Sequence, residues 1–282
     1  MNKIVIIPAR IQSERLPEKP LRLILNKPMI NWTFEAGLQT SADIVQVATD
    51  SKKIYDLFSN DNVVMTSSNH LSGTDRVNEA VSKIGLSDQD VIINIQGDEP
   101  FINPEDINNL FDLVSKKEIA MGTLYSDLKS LDELEDSNKV KILVNDGIAS
   151  NFFRETSLVN NIFIHQGVYA FKYKTLKSFV SWKPSDNEKK YKLEQFRALD
   201  NGIKINAIKS VSKIHLGVDT EDDLVTPNGD PLTENIILNH IDNDVYMYPV
   251  EEIHTSYSCN YEEHLKNTEK RILEKLRYGT LL

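Results

Sequence analysis

The 282 residues carry 42 acidic and 32 basic side chains, a formal charge of −10, with 40% hydrophobic and 26% charged residues. That balance excludes a nonspecific nucleic-acid binder, which needs a broad basic face, and the length suffices for one large α/β domain or a domain with an appendage. One cysteine, Cys259, excludes an intrachain disulfide and a thiolate metal cluster and fits a reducing compartment. No stretch approaches the ~18 apolar residues of a membrane span. The first apolar run is too short for a signal peptide and is cut by Arg10, so a soluble cytoplasmic protein is expected.

Ile4–Ile7 reads as a buried first strand. The loop that follows, residues 7 to 21, contains Pro8, Pro17 and Pro20, which fix φ and keep the chain extended. From residue 8 to 28 there are five basic residues (10, 15, 19, 22, 27) and two acidic ones (14, 18), a local +3 in an acidic chain. A stiff positive loop after strand one of an α/β protein suits anion binding, because ligands lie outside the strand ends. The plain alternative is a solvated surface loop.

Further strands are expected at Ile44–Ala48, Val63–Met65 and Val91–Ile95, with helices at Met29–Leu38, Lys52–Phe58 and Arg76–Ile84. Their continuous apolar runs suit strands covered on both faces, hence an α/β fold with a mostly parallel sheet flanked by helices. Neither a G-x-G-x-x-G nor a Walker pattern is present. Beyond Pro100 the pattern predicts a helix over Pro104–Val114 and strands over Ala120–Leu124, Lys139–Val144 and His165–Phe171. A helix over Glu188–Asp200, stopped by Asn201-Gly202, and a strand over Ile203–Ile208 complete residues 1–224. Thr226–Pro231 is a turn-rich break, and residues 225–282 hold ten acids and five bases, −5 of the total. Tyr261–Tyr278 reads there as an amphipathic helix in a C-terminal extension.

Gln96-Gly-Asp-Glu-Pro100 follows a strongly apolar strand. Its Asp98 is suited to Mg²⁺, which takes one or two protein carboxylates and completes its shell with phosphates and water; Glu99 reads as structural. Asp219, in Gly217-Val-Asp-Thr220, could supply a second carboxylate, or simply be an acid beside a helix cap. Ser72-Gly-Thr-Asp-Arg76 opens a helix whose free amides suit ribose or phosphate, although a capped helix start is the simpler explanation. Arg154, His165, Tyr169, Glu194, Gln195 and Arg197 are polar residues in strand-like or amphipathic settings and would suit a polyhydroxylated acid, with arginine for the carboxylate. Taken singly, each is more simply a polar side chain facing solvent.

The loop Ile7-Pro-Ala-Arg-Ile-Gln-Ser-Glu-Arg-Leu-Pro-Glu-Lys-Pro-Leu21 and these motifs, with Phe153-Arg154, His165-Gln-Gly-Val-Tyr169 and Leu193-Glu-Gln-Phe-Arg-Ala-Leu199, occur in one order over residues 1 to 224. Together they closely resemble the 3-deoxy-manno-octulosonate cytidylyltransferases (CMP-Kdo synthetases), whose fold is that of nucleotide-diphospho-sugar transferases. The resemblance implies an enzyme that joins CTP to the 2-hydroxyl of Kdo, an acidic 2-keto sugar, releasing pyrophosphate with Mg²⁺ in lipopolysaccharide or capsule synthesis. It implies that Arg10, Ser13 and Lys19 bind the triphosphate, and that Lys19, Arg10 and Asp98 serve catalysis. Ser72, Gly73 and Arg76 would face the nucleotide, and Asp98 and Asp219 would hold the metal. Gln96, Arg154, His165, Tyr169, Glu194 and Gln195 would line the sugar pocket, in a homodimer. The stretch between Arg154 and His165 is shorter than the family pattern. Transfer to another acidic sugar, an amino-Kdo or a nonulosonic acid, therefore stays open, as does a non-catalytic binder of sugar or nucleotide.

Overall fold

A computed structural model of the protein describes residues 1–13, 16–24 and 27–212. Asp219, the expected boundary at 224 and the amphipathic helix at 261–278 lie outside the described residues. The described chain runs β1 (Lys3–Ala9), a 3-10 turn (Lys19–Leu21), a short ribbon of β2 (Leu23–Ile24) and β3 (Lys27–Pro28), α1 (Met29–Leu38), β4 (Ile44–Thr49), α2 (Lys52–Tyr55), β5 (Val63–Met65), α3 (Gly73–Ser82) and β6 (Val91–Asn94). It continues through α4 (Pro104–Ser115), β7 (Met121–Ser126), a 3-10 turn (Leu131–Leu134), β8 (Lys141–Asn145), β9 (Ile148–Phe153), β10 (Ile162–Lys172), α5 (Tyr173–Ser181), α6 (Asp186–Tyr191), α7 (Phe196–Asp200) and β11 (Ile205–Lys209).

Nine of these strands form one sheet in the order β5-β4-β1-β6-β10-β7-β11-β9-β8. The half from β5 to β6 is parallel, as the apolar runs predict. β10 then runs antiparallel to both β6 and β7, β11 returns parallel to β7, and β8 and β9 form a hairpin, so the whole sheet is mixed. At 11 residues, with a register shift between Gln166 and Tyr169, β10 also reaches β8.

Successive side chains of a strand point to opposite faces, and β1 shows the consequence. Val5, Ile7 and Ala9 enter a core with Ile30, Ile107, Leu110, Phe111 and Val114, whereas Ile4 and Ile6 enter a second core with Val77, Val81, Phe171 and Phe179. Helix α4 shows why these segments fold locally. The Asn103 side chain accepts from the Glu105 amide, Pro104 starts the first turn, and Ile107, Leu110, Phe111 and Val114 form a buried stripe at helical spacing. Phe111 is fully buried, so Phe111→Ala would cost about 3–5 kcal/mol.

The helix expected over 188–200 is two helices. Lys192 sits at φ 54°, in the left-handed region, and ends α6. The break has a cause: it turns α7 back so that Arg197 Nε and Nη2 donate to Glu188 at 2.8 and 2.5 Å. Glu188 at the same time completes a capping box with Ser185. Helix α3 begins at Gly73, three residues before the expected start, because Ser72 is its cap. No described helix is long and apolar enough to cross a membrane.

Candidate active site

At the carboxyl ends of β1 and β6 lies a cavity of about 500 Å³, where an open α/β sheet places its ligands. Its walls are Pro8 to Arg10, Gln12, Ser13, Lys19 and Pro20 from the first loop, His70 to Gly73 and Arg76 from α3 and its approach, and Gln96, Gly97 and Asp98 from the turn after β6. The expected anion loop and strand-end acid therefore share one cavity.

Local geometry builds it. Leu16 is fully buried and anchors the loop, and its carbonyl accepts from the Lys19 amide at 3.2 Å. Glu18 at φ 52° starts the turn that carries Lys19. The Lys19 ammonium, 8% exposed as a residue, donates to Asp98 Oδ2 at 2.6 Å. On the other wall, Thr33 Oγ1 donates to the Gly97 carbonyl at 3.3 Å and holds the turn that presents Asp98. Gly97 has a steric reason: a Cβ there would meet the Pro8 carbonyl at 3.2 Å. Gly73 has one too, since its Cβ would lie 3.1 Å from Gln96 Oε1 and 3.3 Å from Pro8 Cγ. Ser72 accepts from the Asp75 amide at 3.1 Å. Arg76 lines the cavity, but two of its nitrogens donate to Thr66 Oγ1 at 2.6 Å and Asp50 Oδ2 at 2.8 Å, joining the end of β4 to the segment before α3.

Beside Gln96 lies a second polar cluster. The β6–β10 ladder sets Tyr169 opposite Asn94, two residues before Gln96. Tyr169 donates to Gln195 Oε1 at 3.0 Å. Burial, with the Glu194 charge adding to it, pushes its phenol far above the usual tyrosine range, so it stays protonated. His165 lies four residues back on the same strand, its Nε2 2.9 Å from Thr123 Oγ1 and its ring edge-on to Phe152 at 5.0 Å. Thr74 Oγ1 donates to Glu194 Oε2 at 3.0 Å, whereas the buried Glu194 Oε1 has no hydrogen-bond partner. Burial raises the Glu194 carboxyl above its ordinary value, against a pull downward from Ser72, Arg197 and Thr74. Arg154 does not line the cavity; its guanidinium donates to the carbonyls of Ser137 and Lys192, both at 3.2 Å.

Arg10, Ser13, Lys19, Ser72, Gly73, Arg76, Gln96 and Asp98 thus come together at the cavity, and His165, Tyr169, Glu194 and Gln195 form the neighbouring cluster. Sequence reasoning misses Asn94, Thr74, Thr123 and the cavity residues Gln12, His70 and Leu71. One signal was available: Asn94 is the polar end of the otherwise apolar run Val91–Asn94 and is fully buried. Among the described residues no group of three or more His, Cys, Asp or Glu is placed to hold a metal. Asp98 fits the weaker demand of Mg²⁺, one or two carboxylates completed by phosphates and water.

A cytidylyltransferase family model matches residues 4–205. The 3-deoxy-manno-octulosonate cytidylyltransferase of Haemophilus influenzae (strain 86-028NP) is 38% identical over 244 residues, spanning 79% of this chain and 96% of that protein. The enzyme of the same description from Photobacterium profundum is 36% identical over 240 residues, 79% of this chain and 97% of that protein. Among solved structures, a CMP:2-keto-3-deoxy-manno-octonic acid synthetase complexed with CTP superposes with a TM-score of 0.72 at 32% identity, covering 78% of this chain and 94% of that one. A family model over most of the chain, relatives matched over nearly their whole length and a shared fold agree: the chain belongs to the cytidylyltransferase family.

Proposed function

We propose that the protein transfers the cytidylyl group of CTP to Kdo, giving CMP-Kdo and pyrophosphate. The observation that carries this reading is the Lys19–Asp98 contact, which joins two motifs 79 residues apart at one cavity, in a chain 38% identical to a Kdo cytidylyltransferase. In the reaction, a bond forms between the sugar 2-oxygen and the α-phosphorus as the bond to the β-phosphate oxygen breaks. Attacking and leaving oxygens must lie in line. Arg10, Ser13 and Lys19 hold the triphosphate, and the Lys19 charge counts most as negative charge builds on the departing pyrophosphate. Ser72 and Gly73 offer the amides of the α3 N-terminus to the nucleotide. Tyr169, Gln195, His165 and Glu194 orient the sugar hydroxyls, and Arg154 serves the carboxylate once its guanidinium leaves the Ser137 and Lys192 carbonyls that hold it away from the cavity. Asp98, with Asp219, would hold Mg²⁺, which when bound supplies further charge neutralisation at the triphosphate. A cytoplasmic homodimer accompanies this reading.

Pyrophosphate release with CTP, Mg²⁺ and a panel of Kdo, its amino analogue and a nonulosonic acid tests it. Highest kcat/KM with Kdo is expected. Release with the nonulosonic acid and not with Kdo would overturn the assignment of substrate, and no release with any of the three would overturn the reading.

A further inference from the structure

A row of four polar side chains runs from the cavity to Glu194. Gln96 Nε2 donates to Asn94 Oδ1 at 3.0 Å, Asn94 Nδ2 to Thr74 Oγ1 at 3.4 Å, and Thr74 Oγ1 to Glu194 Oε2 at 3.0 Å. Asn94 is fully buried and Thr74 is 1% exposed. Burying an amide and a hydroxyl is unfavourable unless they are hydrogen-bonded, and an apolar pair would pack without that penalty. The direction of the row is dictated from one end. An ionised carboxylate only accepts. Thr74 must therefore donate to Glu194, which leaves its lone pairs for Asn94. Asn94 must then present Nδ2 to Thr74 and Oδ1 to Gln96. Gln96 in turn must commit Nε2 to Asn94, which leaves Oε1 as the free atom of an amide that sits beside Gly73 in the cavity wall, where a Cβ would meet Oε1 at 3.1 Å and Nε2 at 3.3 Å.

We propose that Thr74 and Asn94 are positioning residues that transmit the orientation set by Glu194 to the Gln96 amide, so that Gln96 presents a carbonyl oxygen, an acceptor, to a hydroxyl of the sugar. The proposal rests on the cytidylyltransferase reading above. It couples the two halves of the site: the acid in the sugar cluster selects which atom the cavity wall shows. The groups facing Glu194 are Arg197 on α7 at 4.0 Å, Ser72, Thr74 and Asp75 at the start of α3, and Tyr169 on β10. When Glu194 takes a proton, the constraint on Thr74 is lifted and both amides are free to flip.

The test compares the parent, Thr74→Val and Thr74→Ser in the full chain with CTP, Mg²⁺ and Kdo. The valine variant keeps the shape and loses the hydroxyl. It is expected to raise the Kdo KM about tenfold, the loss of one hydrogen bond to a charged acceptor, while CTP affinity is unchanged. Without that hydroxyl the charged form of Glu194 is less favoured, so the acidic limb of kcat/KM for Kdo moves to higher pH. Thr74→Ser restores both, and Glu194→Gln has no such limb. Thr74→Ala serves in place of a valine variant that fails to fold. A parental Kdo KM with an unshifted limb in the valine variant overturns the row alone, as does a serine variant impaired as much as the valine one. A parent that releases no pyrophosphate overturns the cytidylyltransferase reading, and the proposal with it.

Discussion

Lys19 and Asp98 face each other at 2.6 Å with side chains only 11% and 35% exposed. Each side chain satisfies the charge of the other, and a bound triphosphate would compete with Asp98 for the ammonium. Lys19→Ala should therefore lower kcat far more than it raises the CTP KM, because the lost charge acts on the departing pyrophosphate. Steady-state kinetics with varied CTP would show this; normal kcat with a raised KM would reassign Lys19 to ground-state binding. Asp98→Asn should cut turnover at saturating CTP on the order of 10²-fold, the scale of one lost transition-state charge stabiliser. Both residues were legible in the sequence, one as the cation of a proline-stiffened loop and the other as an acid at a strand end. Thr74 and Asn94 were not. A threonine in a helix cap motif and an asparagine ending an apolar strand acquire a role only when Glu194, 120 residues from Thr74, comes beside them.

At the scale of elements, the segment that carries His70 and Leu71 into the cavity is held by α3. Burial raises the Glu79 carboxyl, but hydrogen bonds from the Ser67 amide, His70 and Lys83 outweigh this and bring it from 4.5 to about 2. A carboxylate depressed in the folded state adds stability that is present above 4.5 and lost as the pH falls towards 2. The gap in melting temperature between the parent and Glu79→Gln should accordingly be widest near neutral pH and close on acidification. A gap independent of pH would mean that the charge of Glu79 does not matter. The same substitution loosens a cavity wall and should raise the CTP KM. Helices α6 and α7 depend in turn on Arg197, 4% exposed, whose fork grips Glu188 and whose guanidinium lies 4.8 Å from the Phe179 ring centroid. Arg197→Ala should destabilise by about 3–5 kcal/mol by denaturant titration, since it leaves Glu188 without its partner. Arg197→Lys should recover only part of that, because an ammonium cannot reproduce the two-pronged contact. The sequence did not show the break at Lys192. Its helical pattern is continuous, and the left-handed turn at Lys192 goes with the return of Arg197 onto Glu188, a contact between two helices that periodicity does not show.

Across the whole molecule, the parallel half of the sheet was legible because β1, β4, β5 and β6 are short apolar runs separated by helical patterns. The mixed half was not. β9, whose two buried residues Ala149 and Phe152 are three apart rather than alternating, is a weak signal beside β8, and the direction of β10 follows from its long reach between β6, β7 and β8. That insertion carries His165 and Tyr169 to the side of β6 and so sets a polar cluster beside the cavity. The family match ends at residue 205 and the relatives align over 79% of the chain. A chain truncated after residue 224 should therefore keep its pyrophosphate release. A folded truncation without turnover would show that residues 225–282 complete the site. The central claim is transfer of the cytidylyl group to Kdo, and phosphorus NMR of the product mixture tests it most directly. With CTP, Mg²⁺ and Kdo, a new sugar phosphodiester signal should grow in step with pyrophosphate. Consumption of CTP to free CMP or CDP, with no such phosphodiester, would contradict it.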